Sequence, residues 1–194
     1  MAKVRIAFKT LGDDEQVPPT FQQMRCHMVY DVKMENFQRK ARLVAGGHMT
    51  EVTSATMTYA SVVSRESVRI ALTLAALNDL EVKTADIENA YLTAPIGEKI
   101  WCTLDPEFGE DAGKRAIIVR ALYCLKSAGA SFRNHLADCM RHLGWESCKA
   151  DHDVWFKPEI RRGNGHQYYA YCLLYVDKFP NDTPQCWCKS TSRI

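Results

Sequence analysis

The chain has 194 residues, 46% hydrophobic and 25% charged, which places it among globular proteins and outside the disordered class. That length fits one domain with room for a small lobe, and folding at this size buries roughly 70% of the extended chain's surface, enough for a core without metal or disulfide staples. Twenty-five Lys and Arg against 23 Asp and Glu leave a formal charge of +2, which argues against a dedicated basic nucleic-acid binder and leaves a local basic face open.

Lys3 and Arg5 are followed only by Ile6, Ala7 and Phe8 before Lys9, so no signal-peptide apolar region is expected and the chain reads as intracellular. The first 25 residues are mixed and broken by Pro18 and Pro19. Residues 27–33 and 40–45 are short and rich in Val, Leu and Met, which predicts a β-hairpin closing at Gly46 and Gly47. Ser64 is a candidate N-cap, with Glu66 in the first turn of a helix running to about Asn78 and Ile70, Leu74 and Leu77 on one face. Strands are predicted over 80–86, 98–104 and 116–120, separated by loops containing Pro95, Pro106 and Gly109. Phe132, Leu136, Met140 and Leu143 then recur at helical spacing, predicting an amphipathic helix over 128–143 stopped by Gly144.

On that helix His135, Cys139 and His142 fall at i, i+4 and i+7, a spacing that can present metal ligands on one face and that equally flanks the apolar stripe. Two last strands, 153–157 and 168–176, are joined by the turn-rich 161–165. The run 168–176 has nine residues, far short of the roughly 18 that span a membrane. Eight cysteines are scattered with no Cys-x-x-Cys pair and read as reduced thiols. The order of elements describes an α+β fold, an antiparallel sheet with helices packed on one face, an outline that does not name a function by itself.

Asp86 and Asp177 each end a predicted strand. Carboxylates on neighbouring central strands converge at one rim of a sheet, where their hard oxygens hold divalent cations and clamp the oxygens of a phosphoryl transfer; taken singly, strand-end aspartates are common turn formers.

The blocks KARLVAGGH at 40–48, YASVVSRESVRIALTLAA at 59–76, TADIENAYL at 84–92, RALYCLKSAGASF at 120–132, KADHDVWFKP at 149–158 and YYAYCLLYVD at 168–177 resemble, in this order, the reverse transcriptases of copia-type retrotransposons. The likeness covers about residues 28–177. It implies a fingers-and-palm fold that copies RNA or DNA template into DNA with two Mg²⁺ ions and deoxynucleoside triphosphates. By the same resemblance, Asp86 is the first catalytic and metal-binding aspartate. Asp177 is the first of two in a Tyr-Val-Asp-Asp signature. Tyr91 is the aromatic gate that rejects a ribose 2′-hydroxyl. Lys40 and Arg42 contact the triphosphate, as ammonium and guanidinium groups suit phosphate oxygens. The block 123–126, with Tyr123 and Lys126, packs against the incoming nucleotide, and Gly129 stands near the template grip. Without the resemblance, Lys40 and Arg42 would read as a solvated strand face and Tyr91 as core.

The sequence departs from the family pattern at three places. The signature reads Tyr175, Val176, Asp177, Lys178, exchanging the second carboxylate for an ammonium, and the residues that follow, with Pro180 and Pro184, lack an alternating apolar pattern. No returning strand is therefore expected, and an apolar edge is expected to lie open at 168–176. Cys124 stands where the family usually has Gly, close to the nucleotide, where a side chain is expected either to crowd the base or to require a backbone angle that Cys tolerates poorly, and His152 stands where Pro is more usual. The reading is an N-terminal flank at 1–27, truncated fingers and palm at 28–177 and an aberrant C-terminal tail at 178–194. It is a polymerase fragment made inactive by Lys178 and a missing thumb, or alternatively a non-catalytic nucleic-acid-binding remnant. The resemblance implies template-primer and deoxynucleotides as partners and no membrane. It sets the chain within a larger polyprotein carrying thumb, ribonuclease H, integrase and protease regions, in the cytoplasm or a virus-like particle.

Overall fold

A computed structural model describes residues 6–34, 37–47, 58–78, 80–160, 165, 167–175 and 185–189; for Lys33, Lys40 and 185–189 only the backbone is described. The chain forms two compact units, each built from two chain segments: Met1–Tyr59 with Tyr91–His135, and Ala60–Ala90 with Leu136–Ile194.

The first unit holds β1 (Phe8–Thr10), β2 (Gln22–Gln23), β3 (Cys26–Lys33), β4 (Gln38–Ala45), β6 (Ile100–Thr103) and β7 (Arg115–Ile118). Strands β1, β7, β6 and β2 form one sheet in that order, antiparallel except for the parallel β2–β6 pair. Ile100 and Cys102, and Ala116 and Ile118, are buried at every second position, as a half-buried strand requires. Phe108, on the 3₁₀ turn Pro106–Asp111, closes this core edge-to-face on Phe8, centroids 5.2 Å apart. The predicted hairpin forms from β3 and β4, with Val29 opposite Arg42 and Asp31 opposite Lys40.

The second unit holds α1 (Arg65–Leu77), β5 (Val82–Asp86), β8 (Glu146–Ser147), β9 (Val154–Ile160), β10 (Gln167–Tyr175) and β11 (Gln185–Lys189); the one-turn α2 (Ala90–Thr93) and α3 (Ala128–His142) complete the set. Ser64 caps α1 by accepting from the Ser67 N–H at 3.1 Å. The cap is itself held by Asp151, whose carboxylate accepts from the Ser64 N–H at 2.9 Å and the Ser67 hydroxyl at 2.6 Å. Ile70, Leu74 and Leu77 do share a face of α1, but that face is open: they are 62%, 40% and 77% exposed, and Ala75 is the buried residue.

α3 ends one residue earlier than predicted. The Gly144 N–H donates to the Arg141 carbonyl and the Trp145 N–H to that of Met140, both at 3.0 Å, with Gly144 at φ +81°. This is the two-bond stop a glycine permits, with its usual apolar closure: Trp145 packs on the cluster of Ala137, Met140, Trp155, Cys172 and Leu174.

Three expectations are corrected. The strands do not make one antiparallel sheet; they make a four-stranded mixed sheet, a five-stranded sheet and the separate hairpin. The returning strand is present as β11, which pairs antiparallel with β10 on one side and β5 on the other. The expected open edge at 168–176 is therefore filled over Cys172–Tyr175, where β10 lies between β9 and β11. A strand needs backbone donors and acceptors in register more than alternating side chains, so the irregular tail composition does not prevent the pairing.

Candidate active site

In the second unit, β5 and β10 run in the same direction with β11 antiparallel between them. The two aspartate-bearing strands are thus not neighbours, as the sequence suggested. Gln185 is the register partner of both Tyr175 and Asp86, so the ends of β5 and β10 lie in one row across the sheet, two strand spacings apart, about 10 Å. Asp86 is exposed on the edge strand. Asp177 and Lys178 lie outside the described residues. On its β9 side, the end of β10 is held by two further backbone bonds: the Leu174 N–H donates to the Asp153 carbonyl at 2.8 Å and the Val63 N–H to the Leu174 carbonyl at 3.1 Å. The Ser61 hydroxyl donates to the buried Asp153 carboxylate.

In the first unit the structure joins β4 to the 122–125 segment. The Ala45 N–H donates to the Tyr123 carbonyl at 3.0 Å, and Val44 bridges to Tyr123 in parallel register. Residues 122–125 form a turn closed by the Leu125 N–H on the Leu122 carbonyl at 3.3 Å, with Cys124 at φ +70° in its third position. That is the left-handed corner for which glycine is the default residue, so the backbone angle anticipated for Cys124 is found. Gly47 abuts the same corner: a Cβ there would overlap the Cys124 carbonyl. The double glycine was legible only as a hairpin end, and its packing role was missed.

Tyr91 is 7% exposed. Its ring meets Tyr123 edge-to-face, centroids 5.0 Å apart at 89°, and Phe132 at 5.9 Å and 79°. Tyr91 and Tyr123 are therefore brought together, and Phe132, read from the sequence only as helix core, completes the cluster. Arg42 is half-buried on β4 and Lys126 is exposed just after the turn. Lys40 stands two residues before Arg42, where only its backbone is described. The next residue, Ser127, is buried, and its N–H donates to the Glu98 carboxylate at 3.1 Å, anchoring the start of α3. No three His, Cys, Asp or Glu side chains among the described residues come together as a metal-binding group, so His135, Cys139 and His142 on α3 do not make one. No helix among the described residues is long and apolar enough to cross a membrane.

A family model described as reverse transcriptase (RNA-dependent DNA polymerase) matches residues 15–179. Among curated proteins, the retrovirus-related Pol polyprotein from transposon TNT 1-94 of Nicotiana tabacum is 29% identical over 170 residues, 84% of this chain and 12% of that protein. The retrovirus-related Pol polyprotein from transposon RE1 of Arabidopsis thaliana is 26% identical over 141 residues, 71% of this chain and 9% of that protein. The chain thus spans about an eighth or less of the length of these relatives. No solved structure matches it.

Proposed function

The chain belongs to the reverse transcriptase family of copia-type retrotransposons, and from that premise we propose that it is the fingers-and-palm part of an RNA-directed DNA polymerase that no longer transfers nucleotides. The observation that carries the reading is the row Asp86, Gln185, Tyr175, which sets the strand ending in Asp86 and the strand leading to Asp177 at one rim of the sheet. In this reading residues 28–177 are the polymerase portion. Arg42, Lys40 and Lys126 face the triphosphate of a deoxynucleotide, Tyr123 packs against it, and Tyr91, held by two rings, acts as the sugar gate. Template-primer is the nucleic-acid partner, and the setting is a larger polyprotein in the cell interior or a virus-like particle.

Two Mg²⁺ ions need several hard oxygen donors at that rim. The described residues bring Asp86 there and no three-ligand group, and the sequence adds Asp177 followed by the ammonium of Lys178. Like charges at ~4 Å repel by about 4 kcal/mol per pair at an effective dielectric of 20, so this donor set does not fit two divalent cations. The connection between the paired residues Tyr175 and Gln185 contains nine residues, longer than the two to five of tight hairpins that would fix two adjacent aspartates at a tip.

The test is primer extension on an RNA template with deoxynucleotides and Mg²⁺. The expected result is no product above a protein-free control, and robust extension overturns the claim of inactivity. Calorimetry with Mn²⁺ is expected to show tighter binding for Lys178→Asp than for the unaltered chain; equal binding removes Lys178 as the cause. Sequencing the transcript across codons 170–194 and beyond shows whether another frame restores Asp at 178.

The hairpin favours a second, compatible reading as a nucleic-acid-binding remnant. Tyr30 and Phe37 are 70% and 77% exposed beside the exposed Arg39, a pairing of rings and cations that suits an unpaired strand. Binding of single-stranded RNA that does not weaken with salt refutes this reading.

A further inference from the structure

In the second unit α1 and β5 follow one another, joined by residues 78–81, and both present surface that nothing in the unit covers. The spacing i, i+4, i+7 sets Ile70, Leu74 and Leu77 on one side of α1, and all three are exposed. β5 is the outermost strand of its five-stranded sheet. Its five residues are all exposed, Val82 at 41%. The strand pairs with β11 on one side, and among the described residues no backbone hydrogen bond reaches 82–86 from the other. The outward N–H and C=O groups of such an edge are a template for a further extended strand. Proline and bulges are common guards of an edge; β5 contains no proline and keeps an unbroken register with β11.

We propose that α1 and β5 together form the interface of a two-fold symmetric dimer of this chain. β5 pairs antiparallel with β5 of a second copy, joining the two five-stranded sheets, and the open faces of α1 pack antiparallel beside that seam. The proposal is independent of the polymerase reading. Symmetry selects the register. A two-fold axis through Lys83 or Asp86 sets like charges directly opposite one another, which is destabilising, whereas an axis through Thr84 pairs all five residues, with Lys83 opposite Ala85 and Val82 opposite Asp86. The same axis suits the helix. Measured from the turn at 78–81, Leu74 lies about 4.5 Å back from Leu77 along α1 and Thr84 about 6.6 Å beyond Val82 along β5, so both centres stand at a similar depth. An axis near Leu74 then sets Ile70 against Leu77 of the second copy.

The size of the surface sets the expected strength. α1 has 13 residues, about 20 Å of helix roughly 10 Å wide, and β5 widens the strip by about 5 Å. With side-chain relief, two such strips bury on the order of 1,000 Å² of accessible surface, the lower bound for a specific interface. A reversible dimer with a Kd in the micromolar range is therefore expected.

Sedimentation equilibrium of the full chain from about 1 to 200 µM is the test, with a monomer–dimer equilibrium as the expected result. Leu74→Lys, Thr84→Lys and Thr84→Glu should each raise the Kd at least about tenfold, because each sets like charges against each other across the axis. An equimolar mixture of Thr84→Lys and Thr84→Glu should recover the original Kd to within about threefold, as opposite charges then face each other. Ile160→Lys, at a residue 63% exposed on β9, should leave the Kd unchanged. Urea midpoints measured on dilute protein should agree among all these variants, since each site is exposed. A monomer throughout the range overturns the proposal, and so does an open-ended series of oligomers. Variants that keep their fold and the original Kd refute it equally, and failure of the charge-swapped mixture to recover refutes the axis at Thr84.

Discussion

Replacing Cys124 with glycine should make this protein more stable. The turn over 122–125 holds Cys124 at φ +70°, and a residue with a Cβ pays for that left-handed angle with roughly 1–2 kcal/mol. Glycine relieves the clash but brings extra freedom to the unfolded chain, which offsets about 0.4–1 kcal/mol. The Cys124 side chain is exposed, so its removal forfeits little packing. The net gain is therefore about 0.5–1 kcal/mol, or about 1–4 °C in Tm for a chain of this size. Urea unfolding of the unaltered chain, Cys124→Gly and Cys124→Ala is the assay, with the midpoint read at constant slope. Alanine keeps the Cβ and should match cysteine to within a few tenths of a kcal/mol. If glycine and alanine shift the midpoint equally, the effect belongs to the thiol and the backbone argument fails.

The facing position should respond in the opposite sense: Gly47→Ala drives a Cβ into the Cys124 carbonyl and should cost about 1–3 kcal/mol, lowering the urea midpoint. Trp155→Ala, at a residue 2% exposed among Met140, Cys172 and Leu174, should cost about 3–5 kcal/mol. Trp155→Phe should cost less, because the indole N–H has no hydrogen-bond partner among the described residues and its loss leaves nothing new unpaired. Burial works against the Asp151 carboxylate, but bonds from the Ser67 hydroxyl and the Ser64 and Asp153 N–H groups outweigh it and hold its pKa below the ordinary 3.8. The folded-state pKa is depressed, so this stabilisation is present above pH 3.8 and fades as pH falls through the folded value. The stability difference between the unaltered chain and Asp151→Asn should accordingly shrink between pH 6 and pH 3, and a difference constant with pH contradicts the assignment.

What the sequence revealed follows from how local each signal is. The cap at Ser64, the stop at Gly144 and the hairpin before Gly46 depend on residues within a few positions of one another, and each appears within two residues of its expected place. A constraint at Cys124 was legible for a different reason: a glycine expected from the resemblance marks either a close approach or an unusual backbone angle, and the structure shows the angle, at φ +70°. By contrast, β1 and β2 are only three and two residues long, too short to show a period, and they exist because β7 and β6 offer pairing edges more than 75 residues away in sequence. The face of α1 meets the same limit: spacing shows that Ile70, Leu74 and Leu77 align, and only tertiary structure shows that they are exposed.

The candidate site divides along this line. Its aromatic cluster was half visible: Tyr91 and Tyr123 came from the resemblance, whereas Phe132 looked like one more member of a helical stripe until its ring was found against Tyr91. The tail shows the other side of the same physics. Residues 185–189 carry no alternating apolar signal, yet their backbone enters the sheet between β5 and β10, because a gap between two strands offers unpaired N–H and C=O groups on both sides to any chain that can extend. Backbone pairing thus forms where the side chains show no strand pattern. Asp86 reaches the rim, and Tyr175, at the end of β10, lies in the same row with Gln185 of β11 between them. The row that joins Asp86 to Tyr175 through Gln185 is therefore a matter of backbone register, which does not depend on the side chain that residue 178 carries.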